Sequence, residues 1–177
     1  MNQTSSRSPL LLFFGIFLSI VILFYIIWNL PATIEFVLHY VNAMNANITS
    51  TILNLIGYNT VTDLNLISDE IFDMRIKIGC DGLEPIVIYS AAVLAFPTAF
   101  KYKWKGVLYG VVFLFILNIV RLLSLFLIGH HWGVNLVDFA HLKLWQFLFI
   151  FLAVGIWIYW MNQLPKEPTL ASNRNKT

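Results

Sequence analysis

Cys80, the only cysteine of the chain, is the side chain best suited to nucleophilic chemistry. It stands in GCDGLEP, between a polar segment and an apolar helix that begins near Pro85. A single cysteine cannot form an intramolecular disulfide, and a thiol near a helix N-terminus faces backbone N–H groups that favour the thiolate. The pattern therefore indicates a nucleophile, and the alternative is a small buried residue without chemistry.

Arg121 is the second candidate, because it interrupts the apolar stretch LFILNIVRLLSLFLIG. A charge within a membrane is costly and by default points to function. A snorkelling arginine is the competing interpretation, and the apolar flanks on both sides disfavour it. Asn118 lies three residues earlier on the same helical face, where it could bond the guanidinium or line a cavity.

His141, in DFAHLKLWQF, supplies a group that titrates near neutral pH. An interfacial histidine without a catalytic role is the commoner explanation for such a residue on its own. His130 and His131 in GHHWG are a weak metal signal, because adjacent side chains point apart and no complementary ligand set stands nearby. We predict neither a metal nor a cofactor.

The composition is that of a membrane protein. Of 177 residues, 59% are hydrophobic and 11% charged, against about 25% charged residues in a soluble domain. Four apolar stretches are long enough to be spans, at about 9–30, 83–100, 106–128 and 141–161. Pro97 is placed to kink or stop the second.

These stretches predict an all-α polytopic membrane protein with four transmembrane helices. We expect one domain over 1–164 and a polar disordered tail over 165–177. The first stretch is too long for the apolar region of a signal peptide and lacks a small-residue cleavage site, so we interpret it as an uncleaved anchor.

Basic residues set the predicted orientation. Lys101, Lys103 and Lys105 separate the second and third spans. The positive-inside rule makes their side cytoplasmic, so both termini are expected inside and GCDGLEP outside. The predicted location is the inner (cytoplasmic) cell membrane, with the site facing the periplasm or exterior.

The outer segment 31–82 contains further predicted secondary structure. Apolar residues recur at helical spacing from Ile34 to Ile56, which predicts one or two amphipathic helices on the outer leaflet, ended by Gly57. Residues 74–78 alternate between apolar and basic, which predicts a short β-hairpin leading into Gly79.

The spans place Cys80, Arg121 and His141 at one membrane level. Thiol, cation and imidazole together are the parts of a cysteine acyl-transfer site. In that site His141 would move protons, and Arg121 with backbone N–H groups of residues 81–83 would stabilise the oxyanion.

Nearby residues are candidates for supporting or substrate-binding roles. Gly82 would let substrate backbone approach closely. Asp81 and Glu84 would raise the thiol pKa, and would bind a basic feature of the substrate or orient the imidazole. Asp138 is another possible orienter of His141.

Three short motifs carry a family resemblance over about Ile78 to Trp160. C-x-G in CDGLEP, N-x-x-R in NIVRLLSLF and the later histidine in AHLKLWQF resemble the exosortase/archaeosortase family of membrane cysteine transpeptidases. The CDGLE form and the compact layout resemble its exosortase H subclass. The resemblance implies a Cys80–Arg121–His141 triad.

The resemblance further implies a cysteine protease/transpeptidase acting on exported proteins with a C-terminal sorting signal of motif, apolar span and basic tail. A thioester at Cys80 would pass the new carboxyl to an unknown acceptor nucleophile at the outer face of a bacterial inner membrane, and subclass H implies a motif that starts Ile-Pro-Thr-Leu. Expected partners are the bilayer and membrane-anchored substrates, without nucleic acid. The residues alone leave open a non-enzymatic membrane subunit, such as a transporter or channel component or an assembly factor.

Overall fold

The computed structural model describes residues 9–165, which fold into helices around one small sheet. The helical prediction is confirmed in outline, while the predicted tail, apart from Pro165, lies outside these residues. The helices are α1 (Pro9–Trp28), α2 (Pro31–Phe36), α3 (Ala43–Leu55), α4 (Leu83–Ala95), α5 (Phe100–Trp132), α6 (Val134–Phe139) and α7 (Trp145–Asn162). The strands are β1 (Val61–Asp63), β2 (Leu66–Ser68) and β3 (Asp73–Arg75).

Within residues 9–165, three helical segments are long and apolar enough to cross a membrane: Leu10–Trp28, Phe100–Trp132 and Val134–Asn162. They make the chain a multi-pass membrane protein. The helix α4 is apolar but has only 13 residues, a rise of about 20 Å in a hydrocarbon core of about 30 Å. A fourth span and the orientation of the termini stay predictions.

Pro97 ends α4, as its position predicts. Phe96, the C-cap residue, is extended, with φ −64° and ψ 134°, because the ring of a following proline excludes the helical conformation. The chain then enters α5, a single 33-residue helix that ends at Gly133, whose φ is +83°. The third span is thus part of a longer helix than the predicted 106–128.

The segment before the sheet is helical, and its buried face mixes polar and apolar side chains. A π-helical turn, Val37–Asn42, joins α2 to α3. Asn42, Asn45 and Thr49 are fully buried beside Ala46 and Leu53, while Leu55 is 81% exposed. The helix α3 therefore packs on α5 and the sheet through a face that includes a polar stripe, which the apolar periodicity did not predict.

Gly57 closes α3 as predicted. Its φ is +101°, and the N–H of Tyr58 donates to Leu53 O at 3.1 Å, the bond pattern of a glycine C-cap.

The predicted hairpin is present within a three-stranded antiparallel sheet of order β1-β2-β3. Ile67 pairs with Met74 across the second hairpin, and both are buried. At the turn between β2 and β3, one Asp69 oxygen accepts the N–H groups of Ile71 and Phe72. The other contacts His130 Nδ1 at 2.7 Å, which ties the hairpin to the end of α5.

Candidate active site

Cys80 stands in a tight loop that closes on the carboxylate of Asp81. One Asp81 oxygen accepts the Gly79 N–H at 2.9 Å and the other accepts the Leu83 N–H at 2.8 Å. The Cys80 N–H donates to Lys77 O at 3.0 Å. Gly79 and Gly82 have φ of +86° and +84°, a conformation that side chains disfavour and glycine tolerates. The sequence around Cys80 therefore builds a rigid turn directly before α4.

The structure brings the three predicted triad residues together. The Sγ atom of Cys80 lies 3.2 Å from Nε2 of His141. Nη2 of Arg121 lies 2.9 Å from Nδ1 of His141 and 3.8 Å from Cys80 Sγ. They come from the loop before α4, from the middle of α5 and from the π-helical turn Ala140–Leu144.

Two arrangements of the ring proton fit the contact between sulfur and imidazole. In one, the thiol donates to Nε2 and the ring proton is on Nδ1; in the other, Nε2–H donates to the sulfur, as thiol or thiolate. A guanidinium only donates, so the 2.9 Å contact with Arg121 requires a free lone pair on Nδ1. That contact therefore belongs to the arrangement with the ring proton on Nε2.

Burial raises the pKa of the Cys80 thiol above its ordinary value, and the neighbouring Asp81 carboxylate acts in the same direction. The positive charge of Arg121 opposes this without outweighing it. We therefore expect the thiol to predominate at neutral pH. The helix N-terminus does not by itself produce the resting thiolate that the sequence pattern suggested.

Arg121 is held in place by α7. It is 8% exposed, and its guanidinium carbon lies 5.6 Å from the centre of the Phe149 ring, a cation–π distance. The indole of Trp145 donates to Ser124 Oγ at 2.9 Å, and that hydroxyl donates to Arg121 O at 2.8 Å. The Phe149 ring thus packs near the guanidinium, and Trp145 links α7 to the α5 backbone at Arg121.

Asn118 supports the loop and does not bond the guanidinium. Its Nδ2 donates to Asp81 O at 3.0 Å, and the side chain is fully buried. A Cβ added to Gly82 would lie 2.7 Å from Asn118 Cγ. Gly82 is therefore needed for the approach of this asparagine, and that side of the glycine is closed to substrate.

None of the three predicted acidic orienters contacts the imidazole. Both Asp81 oxygens accept loop N–H groups. Asp138 is exposed and lines the same cavity as His141, but within residues 9–165 the His141 nitrogens contact only Arg121 and Cys80. Glu84 lies half-buried in the first turn of α4. Arg121 thus occupies the orienting position next to the imidazole.

Two features of the site were missed from sequence. Asn45 Nδ2 donates to the same Asp81 carbonyl at 3.0 Å. The sequence feature that could have revealed Asn45 is a polar stripe on one helical face, formed by Asn42, Asn45 and Thr49. The π-helical turn that carries His141 has no sequence signature, although such turns are frequent at functional sites.

A cavity of about 140 Å³ opens onto Cys80 and His141. Its walls include the aliphatic side chains of Leu122, Leu125 and Val137, and its rim carries Arg75, Lys77 and Asp138. A larger cavity of about 650 Å³ is lined by none of the predicted site residues. In the described part of the chain, no group of three or more His, Cys, Asp or Glu could hold a metal ion.

Comparison with known proteins identifies the family. No curated protein and no solved structure matches the chain. The family model described as transmembrane exosortase (Exosortase_EpsH) matches residues 8–158, a stretch that includes the three triad residues and most of the described helices. The chain therefore belongs to the transmembrane exosortase family.

Proposed function

We propose that the protein is a membrane cysteine transpeptidase whose nucleophile is Cys80. Membership in the exosortase family suggests a transpeptidase role in protein sorting. The observation that carries the proposal for this chain is the 3.2 Å contact between Cys80 Sγ and His141 Nε2, with Arg121 beside both. Three residues far apart in sequence meet as nucleophile, base and cation, as acyl transfer requires.

Acylation begins from the thiol state with the ring proton of His141 on Nδ1. Nε2 takes the thiol proton as sulfur attacks the scissile carbonyl, so a C–S bond forms and the carbonyl oxygen becomes an oxyanion. The guanidinium of Arg121, which cannot donate to a protonated Nδ1, is free to donate to that oxyanion. The C–N bond then breaks, and Nε2–H protonates the leaving nitrogen.

The second half of the reaction resolves the thioester. An amine of an acceptor, or water, attacks the thioester carbonyl and gives its proton to Nε2 of His141. The C–S bond breaks, and the proton returns to sulfur. The triad is then restored, and the new carboxyl of the substrate is joined to the acceptor or released.

The proposed substrates are exported proteins with a C-terminal motif, apolar span and basic tail. The cavity of about 140 Å³ offers aliphatic walls next to Cys80 for motif residues beside the scissile bond. The motif Ile-Pro-Thr-Leu follows from the resemblance to subclass H. We place the protein in the inner membrane with Cys80 on the outer side.

A reporter tests the proposal. A tagged secreted domain followed by Ile-Pro-Thr-Leu, an apolar span and a basic tail should be shortened in cells that contain the protein. Cys80→Ala should abolish the shortening, and His141→Ala should reduce it by about 10²-fold or more, the usual contribution of acid–base catalysis.

His131→Ala is the matched control, because that histidine is exposed and bonds the Tyr58 hydroxyl instead of the triad. It should process the reporter normally. A reporter that is shortened equally by the Cys80→Ala variant would reject the proposal and favour a non-enzymatic membrane subunit.

A further inference from the structure

Two buried amides converge on one backbone carbonyl next to the nucleophile. Asn45 in α3 and Asn118 in α5 each donate an Nδ2–H to Asp81 O at 3.0 Å. Both side chains are fully buried. The peptide unit that follows Cys80 by one residue is thus held by two separate helices.

This arrangement leaves polar atoms unpaired. The Oδ1 atoms of Asn45 and Asn118 are buried without a hydrogen-bond partner in the described part of the chain. The Oδ1 atom of Asn42 is unpaired in the same way within these residues, so an unpaired acceptor is not specific to the pair at Asp81. What distinguishes the pair is that both amides donate to a single carbonyl beside Cys80.

The two amides fix the plane of the Asp81–Gly82 peptide. In a trans peptide the C=O and N–H groups point in opposite directions. Holding the Asp81 carbonyl against Asn45 and Asn118 therefore directs the Gly82 N–H away from these buried amides.

The Gly82 N–H is also unoccupied. The N–H groups of Gly79 and Leu83 donate to the Asp81 carboxylate, and that of Cys80 donates to Lys77 O. Between Gly79 and Leu83, only the N–H groups of Asp81 and Gly82 find no acceptor within residues 9–165.

We infer that Asn45 is a positioning residue for the oxyanion site: with Asn118 it holds the Asp81–Gly82 peptide so that the Gly82 N–H donates to the oxyanion formed when Cys80 attacks a carbonyl. The inference rests on the proposed function and names a backbone donor that acts beside Arg121. In this step the C–S bond forms, the carbonyl π electrons move to oxygen, and the N–H stabilises the resulting charge.

Two small reagents separate this role from a structural one. The thiolate of Cys80 adds to the carbonyl of p-nitrophenyl acetate through an oxyanion and expels p-nitrophenolate. Iodoacetamide alkylates the same sulfur by displacement at a saturated carbon, without an oxyanion. Because the chain has one cysteine, intact-mass measurement on the detergent-solubilised full chain follows both reactions at one atom, with Cys80→Ala as the blank.

Asn45→Ala should slow acylation by at least about tenfold, part of the 10²–10³ that loss of an oxyanion donor costs. Its alkylation rate should match that of the unaltered protein. Equal slowing of both reactions, or of neither, would overturn the inference.

Asn42→Ala is the matched control. Asn42 is equally buried in the same polar stripe, but its Nδ2 donates to Ile76 O at 3.2 Å and not to the nucleophile loop. Both rates should be unchanged in this variant. If Asn42→Ala slows acylation as much as Asn45→Ala does, the effect is general loosening and the inference fails.

Asn45→Asp provides a second readout if the alanine variant does not fold. A protonated carboxyl can donate to Asp81 O and an ionised one cannot, so the acylation rate relative to the unaltered protein should rise as the pH falls. A ratio that is constant with pH contradicts the positioning role.

The reporter distinguishes failure of this inference from failure of the proposed function. If shortening of the reporter does not require Cys80, the proposed function fails. If it requires Cys80 but proceeds at full rate in Asn45→Ala, only the positioning role of Asn45 fails.

Discussion

At the scale of single residues, the proposed chemistry depends on how Cys80, Arg121 and His141 share protons. Arg121 serves both partners, because one of its nitrogens lies 2.9 Å from the imidazole and 3.8 Å from sulfur. The imidazole has no carboxylate neighbour within hydrogen-bond distance in residues 9–165. A guanidinium therefore lies at the position next to the imidazole that a carboxylate holds in other triads, but it can donate only to an unprotonated Nδ1 and cannot stabilise a protonated ring.

Arg121→Gln should raise the pKa of Cys80 further. Burial already holds this pKa above its ordinary value, and the Arg121 charge is the largest influence that lowers it. Removing the cation disfavours the thiolate, so the pH midpoint of iodoacetamide alkylation should move upward.

Arg75→Gln is the control for Arg121→Gln, since Arg75 lines the same cavity but is exposed. Its alkylation midpoint should stay close to that of the unaltered protein. A midpoint that is unchanged or lower in Arg121→Gln would contradict the electrostatic role of Arg121.

Residue types revealed the triad candidates, because a lone thiol, an intramembrane arginine and a boundary histidine are unusual in an apolar chain. The roles of Asp81 and Asn45 were not predictable in the same way. An aspartate beside a cysteine suggests an electrostatic effect on the thiol, whereas the main contacts of Asp81 are hydrogen bonds accepted from two loop N–H groups. An asparagine on a helix gives no hint that its partner is a carbonyl 36 residues away.

At the scale of elements, local sequence signals determine where helices end, and tertiary packing determines which face of a helix is buried. Pro97 and Gly57 act through backbone sterics, so α4 and α3 end where the sequence predicts. The polar face of α3 is buried because α5 and the sheet supply partners there, which helical periodicity cannot show. Strand β1, Val61–Asp63, lacks the apolar–basic alternation that marks residues 74–78 and so gives no strand signal of its own.

Asp69→Ala should destabilise the outer hairpin. Its carboxylate accepts two backbone N–H groups and contacts His130. Removing it loses these hydrogen bonds, each of which contributes about 0.5–1.5 kcal/mol. Thermal unfolding of the detergent-solubilised protein should show a lower Tm.

Asp73→Ala is the comparison for Asp69→Ala, because Asp73 is exposed in the adjacent strand. It should leave the Tm nearly unchanged. The same Tm decrease in both variants would show that the Asp69 contacts do not anchor the hairpin.

At the scale of the whole molecule, the proposed topology places the loop of Cys80 and the lysines in the first two turns of α5 on opposite sides of the membrane. Hydropathy identified all three long apolar helices. Hydropathy did not predict the lengths of the helices equally well. The helix α4 ends after 13 residues, and α5 is longer than the thickness of a bilayer core. How α4 is accommodated depends on its packing against α1, α5 and α7.

Cysteine labelling tests this topology in a Cys80→Ala background, which contains no other cysteine. A membrane-impermeant maleimide added to intact spheroplasts should label Asp63→Cys and leave Lys103→Cys unlabelled until the cells are lysed. Labelling in the reverse pattern would place the site on the cytoplasmic side and contradict the proposed orientation.

The central claim is that Cys80 becomes acylated by a sorting substrate. The most direct test is to incubate the full-length protein in nanodiscs with the tagged reporter and quench at short times, then measure the intact mass of the protein. We expect an adduct on Cys80 equal to the reporter's N-terminal part, released by hydroxylamine as a thioester is and absent from Cys80→Ala. Cleavage of the reporter without such an adduct, and at the same rate in Cys80→Ala, would contradict it.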